Sequence, residues 1–230
     1  MADIVVALDV EAPDDALRLV DQLPNLEWVK LGPVLYVQHG PALLAELRRR
    51  DLKVFLDHKW HDIPHTVAEA AHAASAAGVA LATVHALGGT EMIQAAAERA
   101  GAMRIAAVTV LTSHSAASYG AATRRGAGIA IADEAVRLAG LATAAGARAV
   151  VASAHEAERI RAAVGPDAWI VVPGIRPRGT PADDQRRTAT AAEAVRAGAT
   201  HLVVGRAILR AENPGAVYSR LCEEASWESG

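Results

Sequence analysis

The sequence predicts an α/β protein, a single-domain (β/α)8 TIM barrel, on three observations. Short apolar, β-branched runs recur eight times along its 230 residues. Each is followed by an Ala-rich stretch with helical spacing, and strict β-then-α alternation calls for a parallel sheet. No shift of composition marks a linker, so residues 1–230 read as one domain, and eight such units are the content of a closed barrel of this size. An open, doubly wound sheet is the alternative arrangement of the same units.

The expected strands are residues 4–8, 28–31, 54–56, 81–84, 105–110, 149–152, 169–172 and 202–204. Their near-continuous hydrophobicity suits strands buried on both faces. The expected helices are 14–22, 41–50, 66–77, 90–100, 133–144, 154–164, 191–197 and 214–224. Gly78, Gly101, Gly146, Gly165 and Gly198 stand where helices should stop, because a helix commonly ends on a left-handed residue. Two connections are longer than a barrel needs, 111–129 and 174–188. Long loops in compact domains are often functional.

Composition narrows the function classes. Hydrophobic residues make up 52% and aromatics only 3%, so the core must be built from Ala, Val, Leu and Ile. A net charge of −3 offers no basic footprint for nucleic acid. The single cysteine, Cys222, precludes an intrachain disulfide and fits a reducing, cytoplasmic setting. No apolar run is long enough for a membrane span, and MADIVVALDV reads as a strand rather than a signal peptide.

Active sites of such barrels lie at the carboxyl ends of the strands. Those ends are unusually polar here. The first strand runs into Asp9, the second into Lys30, the third into Asp57 and Lys59, and the fourth into His85. The fifth leads to residues 109–113, the seventh to Pro173-Gly174-Ile175-Arg176 and the eighth to Gly205-Arg206. Alternate strand residues share a face, so Asp57 and Lys59 point the same way if the extended conformation persists beyond Leu56. A Lys-Asp-Lys-Asp array keeps its members ionised. It suits a reaction that places localised negative charge on a small substrate, with a neighbouring proton donor to quench a carbanion. Gly205-Arg206 occupies the usual phosphate position of these barrels, where backbone N–H groups and a guanidinium fork meet an anion. The segment 176–187 is basic with two Asp and reads as a solvated loop or an anion-gripping lid. His58, His61 and His65 lack the spacing of one tetrahedral site, so no metal is expected.

The segment "FLDHKWHDIPHTV" (55–67) resembles the Asp-x-Lys-x-x-Asp signature of the orotidine 5'-monophosphate decarboxylase family. "VALDV", "VKLG", "VHALGG", "VTVLTS", "VPGIRPRG", "DDQRRTAT" and "LVVGRAI" are similar to the family in the same order, spanning Asp9 to Ile208. Asp-x-Lys-x-x-Asp alone also occurs in sister barrels acting on sugar phosphates. The long loop followed by Gly-Arg is more specific. The resemblance implies Lys59, Asp57, Asp62 and Lys30 as catalytic residues, with Lys59 the proton donor and Asp57 facing the scissile carboxylate. It implies that Asp9 and Lys30 bind the ribose and that Thr112 contacts the pyrimidine. Arg176, Gln185, Gly205 and Arg206 would hold the phosphate. Asp62, with Ile63 and Thr66 beside it, would complete the site of a partner in a homodimer. The implied substrate is a nucleotide, and no cofactor is implied. The chain departs from the family at His58, Trp60 and His65, and residues 188–192 lack the Pro usual before the next helix.

Overall fold

The structure is a computed structural model, and it describes residues 2–126, 128–177 and 188–226. Its elements run β1 (Asp3–Ala7), α1 (Pro13–Asp21), β2 (Trp28–Leu31), α2 (Pro33–Arg49), β3 (Lys53–Trp60), α3 (Pro64–Ala76), β4 (Leu81–His85), α4 (Gly89–Arg99) and β5 (Arg104–Val108). Then follow α5 (Ala116–Thr123), α6 (Ile131–Ala144), β6 (Ala149–Val151), α7 (Ala154–Val164), β7 (Trp169–Pro173), α8 (Ala191–Arg196), β8 (His201–Val204), α9 (Arg206–Leu209) and α10 (Pro214–Ser226). The eight strands are all parallel and close on themselves, with Val5 of β1 opposite Val203 of β8. The expected barrel is therefore the observed one, and the open sheet is excluded.

Two apolar layers hold it. Inward-facing residues, one or two from every strand, form the inner layer, which includes Val5, Phe55, Leu81, Ala106 and Val203. Outward-facing residues such as Ile4, Val6, Val29 and Val54 pack beneath the helices. This is why the middle of each strand is hydrophobic on both faces, with charged and polar residues mostly toward the strand ends. The amino-terminal end of the barrel is plugged by rings. Trp28, Trp169 and His201 lie 4.2–5.9 Å apart between centroids, with Lys53 over Trp28 and Arg104 over Trp169.

The helix stops fall as expected: all five glycines carry φ between 57° and 96°. Other details correct the sequence reading. The second helix begins at Pro33, not at residue 41, and passes through Pro41. Pro41 removes the bond to the Val37 carbonyl, on a turn whose Val37 side chain is 82% exposed, so water is at hand to replace it. The connection 111–129 carries the helix α5, and a short helix, α9, follows β8. Before α8 the absent Pro is replaced by a capping box: Thr190 Oγ1 accepts from the Glu193 amide, and Glu193 Oε2 accepts from the Thr190 amide.

Candidate active site

A cavity of about 650 Å³ opens at the carboxyl ends of the strands. Its floor is apolar, made by Ala7, Phe55, Val108, Val151 and Val203. Its walls carry two charged poles. One comprises Asp9, Lys30, Asp57 and Lys59, from β1 to β3; the other comprises Gly174, Arg176, Gly205 and Arg206, after β7 and β8, and the two adjoin where β8 pairs with β1. Thr112 lines the wall between them. The size suits one small organic molecule.

The first pole is a continuous chain of opposite charges. Lys30 Nζ lies 3.0 Å from Asp9 Oδ1 and 3.5 Å from Asp57 Oδ2, and Lys59 Nζ lies 2.9 Å from Asp57 Oδ1. The Asp57 side chain is only 14% accessible. Burial alone pushes its carboxyl upward, but Lys30, Lys59 and hydrogen bonds from Lys59 and Thr83 outweigh that and hold it below the ordinary carboxylate range. Two neighbouring imidazoles are lowered as well, which for them disfavours the charged form. His85 is lowered by burial and by the nearby His61 and Lys59, and His58 is lowered chiefly by burial, so both favour the neutral ring.

Asp57 and Lys59 share the inner face, but not because the strand stays regular. Leu56 is opposite Ala82 and Trp60 is opposite Val84, so three residues of β3 (Asp57, His58, Lys59) face one residue of β4 (Thr83). Two extra residues preserve the alternation, which returns Trp60 to the outer layer and leaves Asp57 and Lys59 pointing inward. Lys59 absorbs the bulge at φ 53°, in the left-handed region that residues with a Cβ seldom enter.

The second pole is built by backbone. Gly174, at φ 82°, turns the chain directly after β7 and delivers Arg176, which is buried at 6% exposure. Gly205 precedes α9, and a Cβ there would stand 3.6 Å from Asp9 Oδ2, inside the mouth of the cavity. Arg206 opens α9, and Arg210, one turn on, also lines the cavity.

Asp62, Ile63 and Thr66 behave differently. All three are exposed, and none lines this chain's cavity. Asp62 Oδ1 accepts the Ile63 amide at 2.7 Å. Gln185 and residues 178–187 of the expected lid lie outside the described residues. Among the described residues, no group of three or more His, Cys, Asp or Glu is placed to hold a metal ion.

Sequence reasoning missed Thr83 and Arg210. Thr83 is fully buried, donates to Asp57 Oδ1 at 3.1 Å and accepts the Lys59 amide at 2.8 Å. Its signal was a lone hydroxyl in the otherwise apolar LATV run.

Residues 2–221 match the model of a family described as "Orotidine 5'-phosphate decarboxylase / HUMPS family". The chain is 47% identical to the orotidine 5'-phosphate decarboxylase of Thermobifida fusca, over 97% of this chain and 95% of that protein. It is 46% identical to the enzyme of the same name from Halorhodospira halophila, over 96% and 94%. A crystal structure of orotidine 5'-phosphate decarboxylase from Lactobacillus acidophilus superposes with a TM-score of 0.86 at 32% identity, covering 99% of this chain and 100% of that one. The chain belongs to the orotidine 5'-phosphate decarboxylase / HUMPS family.

Proposed function

We propose that this protein is a carboxy-lyase that converts orotidine 5'-phosphate to uridine 5'-phosphate and carbon dioxide, the last step of de novo pyrimidine synthesis. One observation carries the reading: a charge chain containing an Asp57–Lys59 pair faces a Gly205-Arg206 pole across one cavity. The Asp57–Lys59 pair on β3 and the Gly205-Arg206 pair after β8 come from different strands of the barrel, which gives a nucleotide's base and phosphate separate anchors.

Loss of carbon dioxide leaves an electron pair at C6, where the ring delocalises it poorly. The site must stabilise that charge electrostatically, usually the largest catalytic contribution. Lys59 supplies an ammonium beside C6 and transfers its proton to the carbanion. Asp57 holds that ammonium by a 2.9 Å contact and faces the departing carboxylate. Lys30 and Asp9 take the ribose hydroxyls, and Thr112 the pyrimidine. Arg176, Gly205 and Arg206, together with Gln185, take the phosphate, whose binding energy is realised remote from the reacting bond.

We read residues 1–230 as one domain acting in a homodimer with shared sites. Support comes from Asp62, Ile63 and Thr66, which are exposed outside their own cavity. Val34, Val37, Ile63 and Leu87 add large exposed apolar side chains on the segments following β2, β3 and β4. A cytoplasmic location rests on the lone Cys222. Among the described residues, no helix is long and apolar enough to cross a membrane.

The test is loss of ultraviolet absorbance when purified protein meets orotidylate with a chelator present. Turnover supports the reading. A chelator-sensitive reaction on a sugar phosphate would favour a sister barrel instead, and binding without turnover would leave a nucleotide-binding barrel.

A further inference from the structure

We infer that Thr83 is the positioning residue of the site: it closes the β3 bulge and fixes the relative placement of the Asp57 carboxylate and the Lys59 ammonium. The inference rests on the functional reading above for its kinetic consequences, but its structural basis is separate.

Thr83 is the only residue of β4 between the two points where the β3–β4 register holds, while β3 supplies three. An unsupported bulge would strand the amide of Lys59, because no β4 carbonyl lies in register to accept it. A buried amide without a partner is costly. Thr83 Oγ1 takes its place at 2.8 Å, standing in for the missing ladder bond. The same hydroxyl then has one proton to give, and it gives it to Asp57 Oδ1 at 3.1 Å. One oxygen therefore ties the backbone of Lys59 to the side chain of Asp57. The Lys59 side chain returns to that same Oδ1 at 2.9 Å, closing a ring through Asp57, Thr83 and Lys59.

The placement favours rigidity. Thr83 is fully buried, on the inward face of β4 above Leu81, and does not line the cavity. It acts through its neighbours and touches no substrate. β-branching restricts its χ1, so the hydroxyl is held in one direction. The left-handed backbone of Lys59 costs free energy and persists only where surrounding contacts determine it. The Thr83 bond to the Lys59 amide is such a contact.

The groups facing Asp57 are Lys30 from β2, Lys59 on its own strand, Thr83 from β4 and, nearby, the His58 and His85 rings, with Asp9 beyond Lys30. Removing the Thr83 proton donor leaves the cations in place but takes one hydrogen bond from the ionised carboxylate. Its midpoint must then rise, and the acid limb of kcat/KM with it.

The experiment compares Thr83→Val, which keeps the shape without the hydroxyl, with Thr83→Ser, which keeps the hydroxyl. Steady-state kinetics with orotidylate are measured across pH, and Asp57 is titrated by carbon-13 NMR. Thr83→Val is expected to lower kcat by about tenfold or more, since it removes a hydrogen bond to a charged group. KM should change far less than kcat, because the phosphate pole lies across the cavity. The Asp57 midpoint should rise. Thr83→Ser should restore the midpoint and most of kcat. If Thr83→Val does not fold, Thr83→Ala removes the same hydroxyl and is scored in the same way. Unchanged kcat and midpoint without the hydroxyl, or a Ser variant as impaired as the Val variant, overturns the inference. If the wild-type chain fails to turn over orotidylate, the functional reading falls. The NMR midpoints need no substrate and still decide the role of Thr83.

Discussion

Asp57 Oδ1 meets Lys59 Nζ at 2.9 Å across a bulge that holds the Lys59 backbone at φ 53°. The ammonium is thus held by a strained turn of chain and by a partly buried carboxylate. It remains 35% exposed, toward the cavity.

Lys59→Ala should abolish turnover and leave nucleotide binding measurable. The substitution removes the proton donor but keeps a Cβ, so the backbone strain at this position is unchanged. The phosphate pole is untouched. Calorimetric titration with uridine 5'-phosphate reads binding, and the absorbance assay reads turnover. More than about a tenth of wild-type turnover would remove Lys59 from its role, because a positioned acid is worth about a hundredfold or more.

Arg206→Ala should weaken orotidylate binding by about 1.5–3 kcal/mol through loss of a charge-assisted pair. The discriminating measurement compares orotidylate with the nucleoside lacking its phosphate. A loss confined to the phosphorylated substrate places Arg206 on the phosphate. An equal loss on both would place it elsewhere.

Much of this was legible in the sequence because the barrel repeats one local pattern. Buried strands must be apolar through their middles, helices must stop, and the stops used glycine. Polar residues at strand ends then marked the cavity, and Asp9, Lys30, Asp57, Lys59, Thr112, Arg176, Gly205 and Arg206 all line it. What stayed hidden depends on contacts between distant segments. Helix α5 is anchored by Tyr119, whose hydroxyl donates to the buried Glu134 at 2.9 Å; Arg125 and Arg137 also bind that carboxylate. No local periodicity encodes such a node. The β3 bulge is hidden for the same reason, since it exists only against β4. Pro41 misled because proline favours a helix start, yet here the helix continues through it.

His201 should make the protein lose stability as pH falls. Its ring is 2% exposed, packed against Trp28 and Trp169, and its Nδ1 lies 2.9 Å from Thr200 Oγ1. Burial, with Arg104 and Lys53 nearby, pushes its pKa down to about 4. Asp3 Oδ2 lies 3.5 Å from Nε2, but with the imidazole kept neutral this is not an ion pair at neutral pH. The unfolded chain takes up a proton near pH 6.5 and the folded one does not, so the contribution is full above about pH 6.5 and is lost progressively toward pH 4. Its size is at most about 3 kcal/mol. Thermal unfolding across that window should fall more steeply for wild type than for His201→Gln. The slopes are compared, since the substitution also changes packing. Parallel curves would show that the folded ring titrates normally.

Asp62 provides the test of shared sites. It follows Lys59 by three residues, where the chain leaves β3 for α3, and it is exposed outside its own cavity. If it completes the site of a twofold-related partner, each chain lends Asp62 to the other. Lys59→Ala and Asp62→Ala are each expected to be inactive alone. Unfold the two together and refold the mixture. In a heterodimer one site carries both lesions. The other combines Lys59 of the Asp62→Ala chain with Asp62 of the Lys59→Ala chain and is intact. Random pairing makes about half the dimers mixed, each with one good site of two, so about a quarter of sites should recover. If Asp62 serves its own chain, every site keeps one lesion. The mixture would then be no more active than the separate variants, and both the shared site and the obligate dimer would fall together.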